Sequence, residues 1–111
     1  MFNGRPLPRE RIGEIAGPSS DNPVEAFRET LDGRSYTICL TPDRPTGDFP
    51  RVVVPPDRIF LVGDNRDASF DSRFWGTVRR EEVKAIATHI YFARDPRTGE
   101  IHWNRFGRVV Q

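Results

Sequence analysis

Alternating apolar and polar residues mark a β-hairpin in the first half of the chain. Residues 26–31 and 34–41 flank an Asp-Gly pair at positions 32–33, a sequence typical of a type I′ hairpin turn. The second run alternates apolar side chains with small or polar ones, as expected for a strand with one buried face. Its apolar positions are Tyr36, Ile38 and Leu40. The pattern therefore predicts two antiparallel strands joined by a two-residue turn.

Segments rich in Pro, Gly and small polar residues lie on both sides of this hairpin and predict long loops. They cover residues 8–24, where only a short apolar stretch interrupts the loop character, and residues 42–50. An Asn-Gly pair predicts a further tight turn within residues 2–7. We therefore expect one hairpin in this half of the chain, surrounded mostly by turns and loops.

Short runs of β-branched and aromatic residues follow after residue 50 and predict further strands. The runs lie at residues 51–54, 58–62, 83–92, 100–103 and 106–110, with a turn of helix at residues 79–82 before the third. We expect the last two runs to pair with each other. Several short strands at this spacing predict an all-β fold: a small antiparallel sheet assembly or a partial barrel, with long loops and at most a short helical turn.

Composition and charge narrow the class of protein. The chain has 111 residues, the size of one domain, and a net charge of +1, which argues against a dedicated nucleic-acid binder. Its 17 basic residues include a single lysine, Lys84, so fixed arginine ion pairs are favoured over titrating amines. Cys39 is the only cysteine, which excludes an internal disulfide. The apolar runs are too short for a membrane helix, and we expect neither a signal sequence nor an anchor within these residues.

Residues 63–76 have the most unusual composition of the chain. They hold three Asp, two Arg, one Asn and two Ser directly after an apolar run. The charged and polar side chains of this segment can pair with one another. We expect Asp71 to pair with Arg73, and either Asp64 or Asp67 to pair with Arg66. Serine and asparagine side chains also bond free backbone groups in turns. The segment therefore predicts a rigid, hydrogen-bonded corner.

Composition alone leaves other interpretations of this segment open. It is compatible with a solvated loop held by salt bridges. A calcium loop of the EF-hand type is disfavoured, because the third and sixth positions counted from Asp64 are Arg66 and Ser69. Ser69 or Ser72 would be a nucleophile only with a base within hydrogen-bonding reach. The candidate bases all lie outside the segment, and the spacing selects none of them: Lys84, His89 and His102.

Residues 54–78 resemble the C-terminal signature of bacterial type I signal peptidases. They are VPPDRIFLVGDNRDASFDSRFWGTV, and the family pattern is VPPxx[YF]F followed by GDNRDxSxDSR[YF]WGxV. Residues 2–7 are similar to the family's hairpin just after its lysine-bearing box. Residues 85–92 and 103–106 look similar to a strand and to the end of its domain. The resemblance covers most of the chain, although residues 8–50 are supported only by element order and hairpin content.

This resemblance implies a membrane-associated serine endopeptidase that removes signal peptides from exported proteins. The family uses a Ser nucleophile and a Lys general base in an all-β catalytic domain. By position, Ser69 matches the serine that hydrogen-bonds and orients the lysine, and Asp71 and Arg73 match its supporting ion pair. The residues expected to support the active site are Gly63, Asp64, Asn65, Arg66, Asp67, Ser69, Asp71, Ser72 and Arg73.

The family's two catalytic boxes are absent from these residues. Neither Ser-Met-x-Pro-Thr nor Lys-Arg-x-x-Gly-x-Pro-Gly-Asp occurs, and Lys84 matches no catalytic position. We expect residues 1–111 to form a single domain, the C-terminal portion of the catalytic β-domain, truncated after the lysine box. Because a Ser-Lys mechanism needs a hydroxyl and a neutral amine, we expect no catalytic residue in this chain and no activity of the chain alone.

The resemblance also implies partners and a location. We expect signal peptides of preproteins, the N-terminal segment that carries Ser and Lys, and a membrane surface as partners, at the extracytoplasmic (periplasmic) face of a bacterial inner membrane. We expect no nucleic acid, metal or cofactor. Two alternatives remain: a non-catalytic relative that holds extended peptides by strand addition, or a free-standing structural β-domain.

Overall fold

A three-stranded antiparallel sheet is the largest element of the protein. The computed structural model describes residues 2–16, 23–44, 49–95 and 98–110. The sheet has the order β1-β2-β3, with β1 at Arg9–Ala16, β2 at Pro23–Leu31 and β3 at Arg34–Leu40. The predicted hairpin is confirmed, because β2 and β3 are joined by Asp32 and Gly33, which have φ angles of 49° and 77° as a type I′ turn requires.

The hydrophobic core lies around this sheet and is small. Among the described residues, the buried apolar side chains are Val24, Ala26 and Ile38. Residues paired across the hairpin share a face, so Ile38 lies on the same face as its partner Phe27 and as the next pair along, Glu29 and Tyr36. This face therefore carries a buried acidic side chain beside its buried apolar one.

Strand β1 corrects the prediction that residues 8–24 are mostly loop. It pairs with β2 along its whole length, with a β-bulge between Arg11 and Gly13. Charged pairs across the two strands accompany this register, including Arg11 Nε to Glu25 Oε1 at 2.9 Å and Arg28 to Glu10 at 3.5 Å. Cross-strand charge pairs of this kind replace the apolar alternation from which a strand is normally predicted.

The tight turn expected within residues 2–7 is present. Phe2 and Arg5 exchange two backbone hydrogen bonds of 2.8 and 2.9 Å. Between them Asn3 and Gly4 have φ angles of 48° and 76°, the left-handed conformation that an Asn-Gly pair adopts most easily. The chain therefore enters β1 from a closed turn.

The elements after the hairpin are short. A second, two-stranded antiparallel sheet joins β4 at Arg58–Ile59 to β5 at Val78–Arg79. Helix α1 spans Ser72–Trp75, and 3₁₀ turns cover Arg80–Glu82 and Trp103–Arg105. The helical turn predicted at residues 79–82 is thus confirmed, whereas residues 51–54 form no strand and the run at 58–62 is a strand only in its first two positions.

The C-terminal runs pair differently from the prediction. Ile90 donates to Arg108 O at 2.8 Å and accepts from Gly107 N at 2.9 Å, while His102 donates to Ala93 O at 2.9 Å. Each run thus pairs with part of residues 88–95, and the two runs do not form the expected pair with each other. The 3₁₀ turn at 103–105 connects the two runs without placing them side by side as a hairpin. Residues 83–92 form one isolated bridge, between His89 and Val109, and not the continuous strand predicted.

Much apolar surface stays uncovered. The chain exposes 9250 Å², whereas a folded monomer of this size exposes roughly 6200 Å². Its radius of gyration is 15.6 Å, against about 13 Å for a compact domain of this length. The most exposed large apolar side chains among the described residues are Val53, Phe70, Ile86, Tyr91 and Trp103. The fold class is all-β, as predicted, and the described residues form open sheets and no closed barrel. No helix among them has the length and apolar character needed to cross a bilayer.

Candidate functional site

Residues 63–71, here called the corner loop, are closed at both ends by hydrogen bonds. Gly63 N donates to Asp71 Oδ2 at 2.8 Å, which joins the first residue of the loop to the last. Just outside, Leu61 and Ser72 exchange two bonds: Leu61 N to Ser72 Oγ at 2.9 Å and Ser72 N to Leu61 O at 3.0 Å. Ser72 is buried and its hydroxyl is used in this closure, so its role in the site is structural.

Asp71 is the central acceptor of the closure. The expected ion pair with Arg73 is present and bidentate, with Nε to Oδ1 at 2.7 Å and Nη2 to Oδ2 at 2.8 Å. Asp71 also caps helix α1 by accepting from Arg73 N at 3.1 Å. Only 5% of Asp71 is exposed. The Arg73 guanidinium, with further bonds from the backbone of Gly63 and from Ser69, holds the pKa of Asp71 far below its ordinary value, so the group is a carboxylate.

Ser69 lies directly over Gly63. A Cβ built on Gly63 would lie 2.5 Å from Ser69 Cβ and closer still to Ser69 Oγ, so no side chain fits at position 63. The Ser69 hydroxyl is also close enough to the Asp71 carboxylate to help lower its pKa. The corner loop therefore fixes one hydroxyl group in a defined place, between a glycine backbone and a charged carboxylate.

The corner loop is also attached to the end of strand β3. Cys39 N donates to Asp64 O at 2.9 Å, and Arg66 N donates to Cys39 O at 3.0 Å. Thr41 N donates to the Asp67 side chain at 2.7 Å. These bonds extend the hairpin sheet by a short parallel bridge at Asn65. The loop thus has a fixed position relative to the hairpin.

Arg66 pairs with a residue that the sequence analysis did not identify. It was expected to bind Asp64 or Asp67, which is wrong, because Asp67 accepts from Thr41 and Asp64 accepts from the neighbouring Asn65 N at 2.8 Å. Arg66 Nη2 instead donates to Glu29 Oε1 at 2.5 Å. The hairpin turn pairs Glu29 with Tyr36, on the same face as Ile38. This register could have indicated, from the sequence, that Glu29 is buried and needs a partner.

Glu29 is buried, with 1% of its surface exposed, and has three partners. Besides Arg66, Arg9 Nη2 donates to Oε2 and the Tyr36 hydroxyl donates to Oε1, each at 2.9 Å. Burial alone raises the pKa of Glu29, but the bonds from Arg66, Arg9 and Tyr36 outweigh it and hold the pKa below its ordinary value. Glu29 is therefore a charged carboxylate inside the protein.

Two polar atoms of the corner loop are buried without a partner among the described residues. They are Asn65 Oδ1 and Arg66 Nε. Buried polar atoms are nearly always hydrogen-bonded in folded proteins. This acceptor and this donor are therefore available to a polar group outside the described residues.

The candidate bases considered for a serine nucleophile lie elsewhere. His89 is exposed and its Nδ1 is 3.1 Å from Thr88 Oγ1, and Lys84 is exposed beyond the second sheet. His102 lies at the start of the 3₁₀ turn at 103–105. The described residues thus bring together the corner loop and Glu29, and no hydrogen bond among them joins Ser69 or Ser72 to one of the three candidate bases.

Acid should destabilise the protein through Asp71 and Glu29. Both pKa values are lower in the folded chain, so their contribution to stability is complete above the ordinary carboxyl pKa of about 4 and declines as pH falls below it. We expect the urea midpoint to be constant from pH 8 to 6 and to fall steeply below about pH 4.

A matched variant isolates the buried carboxylates in this measurement. Glu10→Gln removes an exposed carboxylate whose ion pair with Arg28 is 3.5 Å long, and it should leave the acid limb unchanged. Asp71→Asn should make the fall of the urea midpoint at low pH smaller. A wild-type midpoint that does not change between pH 7 and pH 3 would contradict the low carboxyl pKa values.

Comparisons with known proteins identify the family of the chain. The family model described as "Signal peptidase, peptidase S26" matches residues 1–92. The chain is 51% identical over 93 residues to signal peptidase I of Aquifex aeolicus (strain VF5), covering 77% of this chain and 36% of that protein. It is 42% identical over 61 residues to signal peptidase I of Buchnera aphidicola subsp. Schizaphis graminum, covering 51% of this chain and 20% of that protein.

A third relative is signal peptidase I of Haemophilus influenzae, which is 40% identical over 48 residues, 43% of this chain and 14% of that protein. The chain therefore spans about a third or less of the length of these relatives. The family match covers most of the chain, including the corner loop and the Asp71–Arg73 pair. On that match, the chain belongs to the signal peptidase family, peptidase S26.

Proposed function

We propose that residues 1–111 are the C-terminal portion of one catalytic β-domain of a signal peptidase. The whole enzyme would be a serine endopeptidase that cleaves signal peptides from preproteins at the extracytoplasmic face of a bacterial inner membrane. The observation that carries the proposal is the corner loop, which matches the family signature and fixes the Ser69 hydroxyl between Gly63 and Asp71. The nucleophile and the base, a serine and a lysine, would come from polypeptide outside these 111 residues.

Ser69 is suited to orient an amine. A serine hydroxyl has one donor and two acceptor sites. Asp71 is a carboxylate and accepts only, so the neighbouring Ser69 hydroxyl would donate its proton to Asp71 and keep the lone pairs of its oxygen free. Those lone pairs can accept a hydrogen bond from the lysine amine. Ser69 would then fix the direction in which the amine nitrogen meets the nucleophile's hydroxyl proton.

The Asp71–Arg73 pair protects the basicity that this mechanism needs. A lysine acts as general base only in its neutral form, and an unpaired carboxylate nearby would favour the charged form. The bidentate Arg73 guanidinium balances the Asp71 charge at 2.7 and 2.8 Å. Asp71 can therefore hold Ser69 without raising the pKa of the amine.

A peptide-binding scaffold is the second candidate, favoured by the position of β1. Arg9–Ala16 lies at one edge of the sheet, and an edge strand offers free backbone groups to an extended peptide. In this alternative the chain would hold peptides by strand addition and would never support cleavage.

Mixing experiments separate the two candidates. The 111-residue chain is mixed with a separately made N-terminal fragment that carries the family's serine and lysine boxes, and cleavage of a signal-peptide substrate is assayed. We expect no turnover by either part alone and turnover by the mixture. Turnover by the chain alone would contradict the expectation that it lacks a catalytic serine and lysine. Peptide binding without any cleavage in the mixture would favour the scaffold.

Ser69→Ala tests the role of the fixed hydroxyl in the active mixture. We expect kcat to fall by about 10²-fold or more with little change in KM, since orientation of a general base contributes on that scale. Ser35→Ala is the matched control, because Ser35 is an exposed β3 serine bonded to Thr30 at 2.9 Å. It should leave kcat unchanged, and equal losses in the two variants would count against the role of Ser69.

A further inference from the structure

Glu29 lies outside residues 63–76, but its side chain binds Arg66 within that segment. It lies on β2, 37 residues before Arg66, and is the only acidic side chain among the described residues with 1% exposure. Its two arginine partners differ: 18% of the Arg66 side chain is exposed, against 39% for Arg9. Arg66 is therefore the partner that depends on Glu29 for charge compensation, while Arg9 has access to water.

Ser69 lies between two attachments of the corner loop. After it, Asp71 closes the loop onto Gly63. Before it, residues 64–67 are held on the hairpin by three bonds that involve backbone atoms of Cys39 and Thr41, and by the ion pair of Arg66 with Glu29. The ion pair is the only one of these hairpin attachments made entirely by side chains, and the only one with a full charge on both partners.

We propose that Glu29 is a positioning residue that, through Arg66, fixes the corner loop and its Ser69 hydroxyl against the β2–β3 hairpin. The orienting role of Ser69 rests on the proposed function. The attachment of the corner loop through Arg66 and Glu29 rests on the structure alone.

Loss of the Glu29 charge would move the loop rather than the strand. Arg66 would be left as a mostly buried cation whose Nε already lacks a partner, so it would turn towards water. Movement of Arg66 towards water would pull on the bond from Arg66 N to Cys39 O, which holds the loop at the end of β3, and would weaken that attachment. Arg9 needs no such movement, since it reaches solvent from its present position.

Cys39 provides a direct probe of this attachment. It is the only cysteine, and both its amide and its carbonyl bond the corner loop. Burial, and then the charge of Asp64, raise the pKa of its thiol. When the loop moves away, the thiol should gain access to water and its pKa should fall towards the ordinary value.

The experiment measures alkylation of Cys39 by iodoacetamide in the 111-residue chain across pH 6.5–10 (roughly the range that brackets a thiol pKa). For Glu29→Gln we expect about tenfold faster alkylation near neutral pH and a lower apparent thiol pKa. The control is Glu25→Gln, the same chemical change on the same strand, where Glu25 binds Arg11 and does not reach the loop. It should alkylate like the wild type.

Arg66→Gln shows whether Glu29 acts through Arg66. It keeps the bonds of Glu29 to Arg9 and Tyr36, so it also carries the test if Glu29→Gln does not fold. We expect it to match Glu29→Gln, and the double variant to alkylate no faster than either single one. Wild-type reactivity of the single variants, equal acceleration in Glu25→Gln, or additive effects in the double variant would each overturn the proposal.

Hydrogen exchange separates movement of the loop from unfolding of the chain. In the Glu29→Gln or Arg66→Gln variant, the amides of Cys39, Thr41 and Arg66 should lose protection while the β1–β2 ladder keeps it. Uniform loss over the sheet would show a general structural role and overturn the proposal. The outcome is independent of cleavage, because an inactive mixture with selective loop movement would reject the proposed function and leave the role of Glu29 standing.

Discussion

Asp71→Ala should lower the free energy of unfolding by about 3–5 kcal/mol, the range for removing one member of a buried ion pair. Asp71 is 5% exposed and accepts bonds from Arg73 and from Gly63 N. Without it, the mostly buried guanidinium of Arg73 loses its counter-charge, the loop closure at Gly63 loses its acceptor, and helix α1 loses its cap. Small domains have only about 5–15 kcal/mol of stability, so this variant should be largely unfolded at modest urea concentrations.

Urea unfolding measured by tryptophan fluorescence gives the result directly. Trp75 is a suitable reporter, because its Nε1 donates to Phe70 O at 3.0 Å beside the corner loop. Asp71→Asn keeps an acceptor oxygen and loses the charge, so its loss should be intermediate. Asp64→Asn is the control within the loop, since Asp64 is exposed and accepts from the adjacent Asn65 N. A loss below about 1 kcal/mol in Asp71→Ala, the value typical of an exposed pair, would show that the closure is not rigid.

The sequence predicted those features that depend on residues close together in the chain. The hairpin follows from an Asp-Gly turn and a period of two, and its register then follows from the turn. The Asp71–Arg73 pair joins residues two positions apart, so composition and spacing were sufficient. Both features are local and are decided by one short segment.

Features that depend on distant partners were missed. In β1 the apolar residues Ile12 and Ile15 are three positions apart, so the period-two pattern of a strand is absent. The structure accommodates this spacing with a bulge between Arg11 and Gly13, which changes the phase of the strand. Residues 83–92 have the composition of a strand but lack a continuous partner, and strand propensity alone does not supply one.

The partner of Arg66 shows the same limit within the site. Two aspartates lie next to it in the sequence, whereas its actual partner is 37 residues away on β2. Asp67 was unavailable because a backbone amide of Thr41 occupies it, a contact that only the assembled sheet creates. Glu29 was within reach of sequence reasoning, since the hairpin register sets it beside Tyr36 on a buried face. An acidic residue on such a face needs a cationic partner.

Gly63→Ala should destabilise the chain by about 1–3 kcal/mol, the usual cost of forcing an extra methyl group into an occupied space. The new Cβ would overlap both side-chain atoms of Ser69, at 2.5 Å from its Cβ and nearer still to its Oγ. Relief requires Ser69 to move away from Asp71, so the fixed hydroxyl is lost together with part of the stability. In the active mixture, the variant should therefore lose kcat about as strongly as Ser69→Ala.

A second substitution separates this steric cause from a backbone cause. Ser69→Gly in the Gly63→Ala background removes both overlapping atoms, so we expect most of the stability to return while activity stays absent. Gly107→Ala is the control: its Cβ would meet no atom within 4 Å, but its φ of 73° makes any side chain unfavourable. Ser69→Gly should not rescue that variant. If it fails to rescue Gly63→Ala as well, the close approach of Ser69 to Gly63 is not what position 63 requires, because the loss must then come from the backbone of the loop.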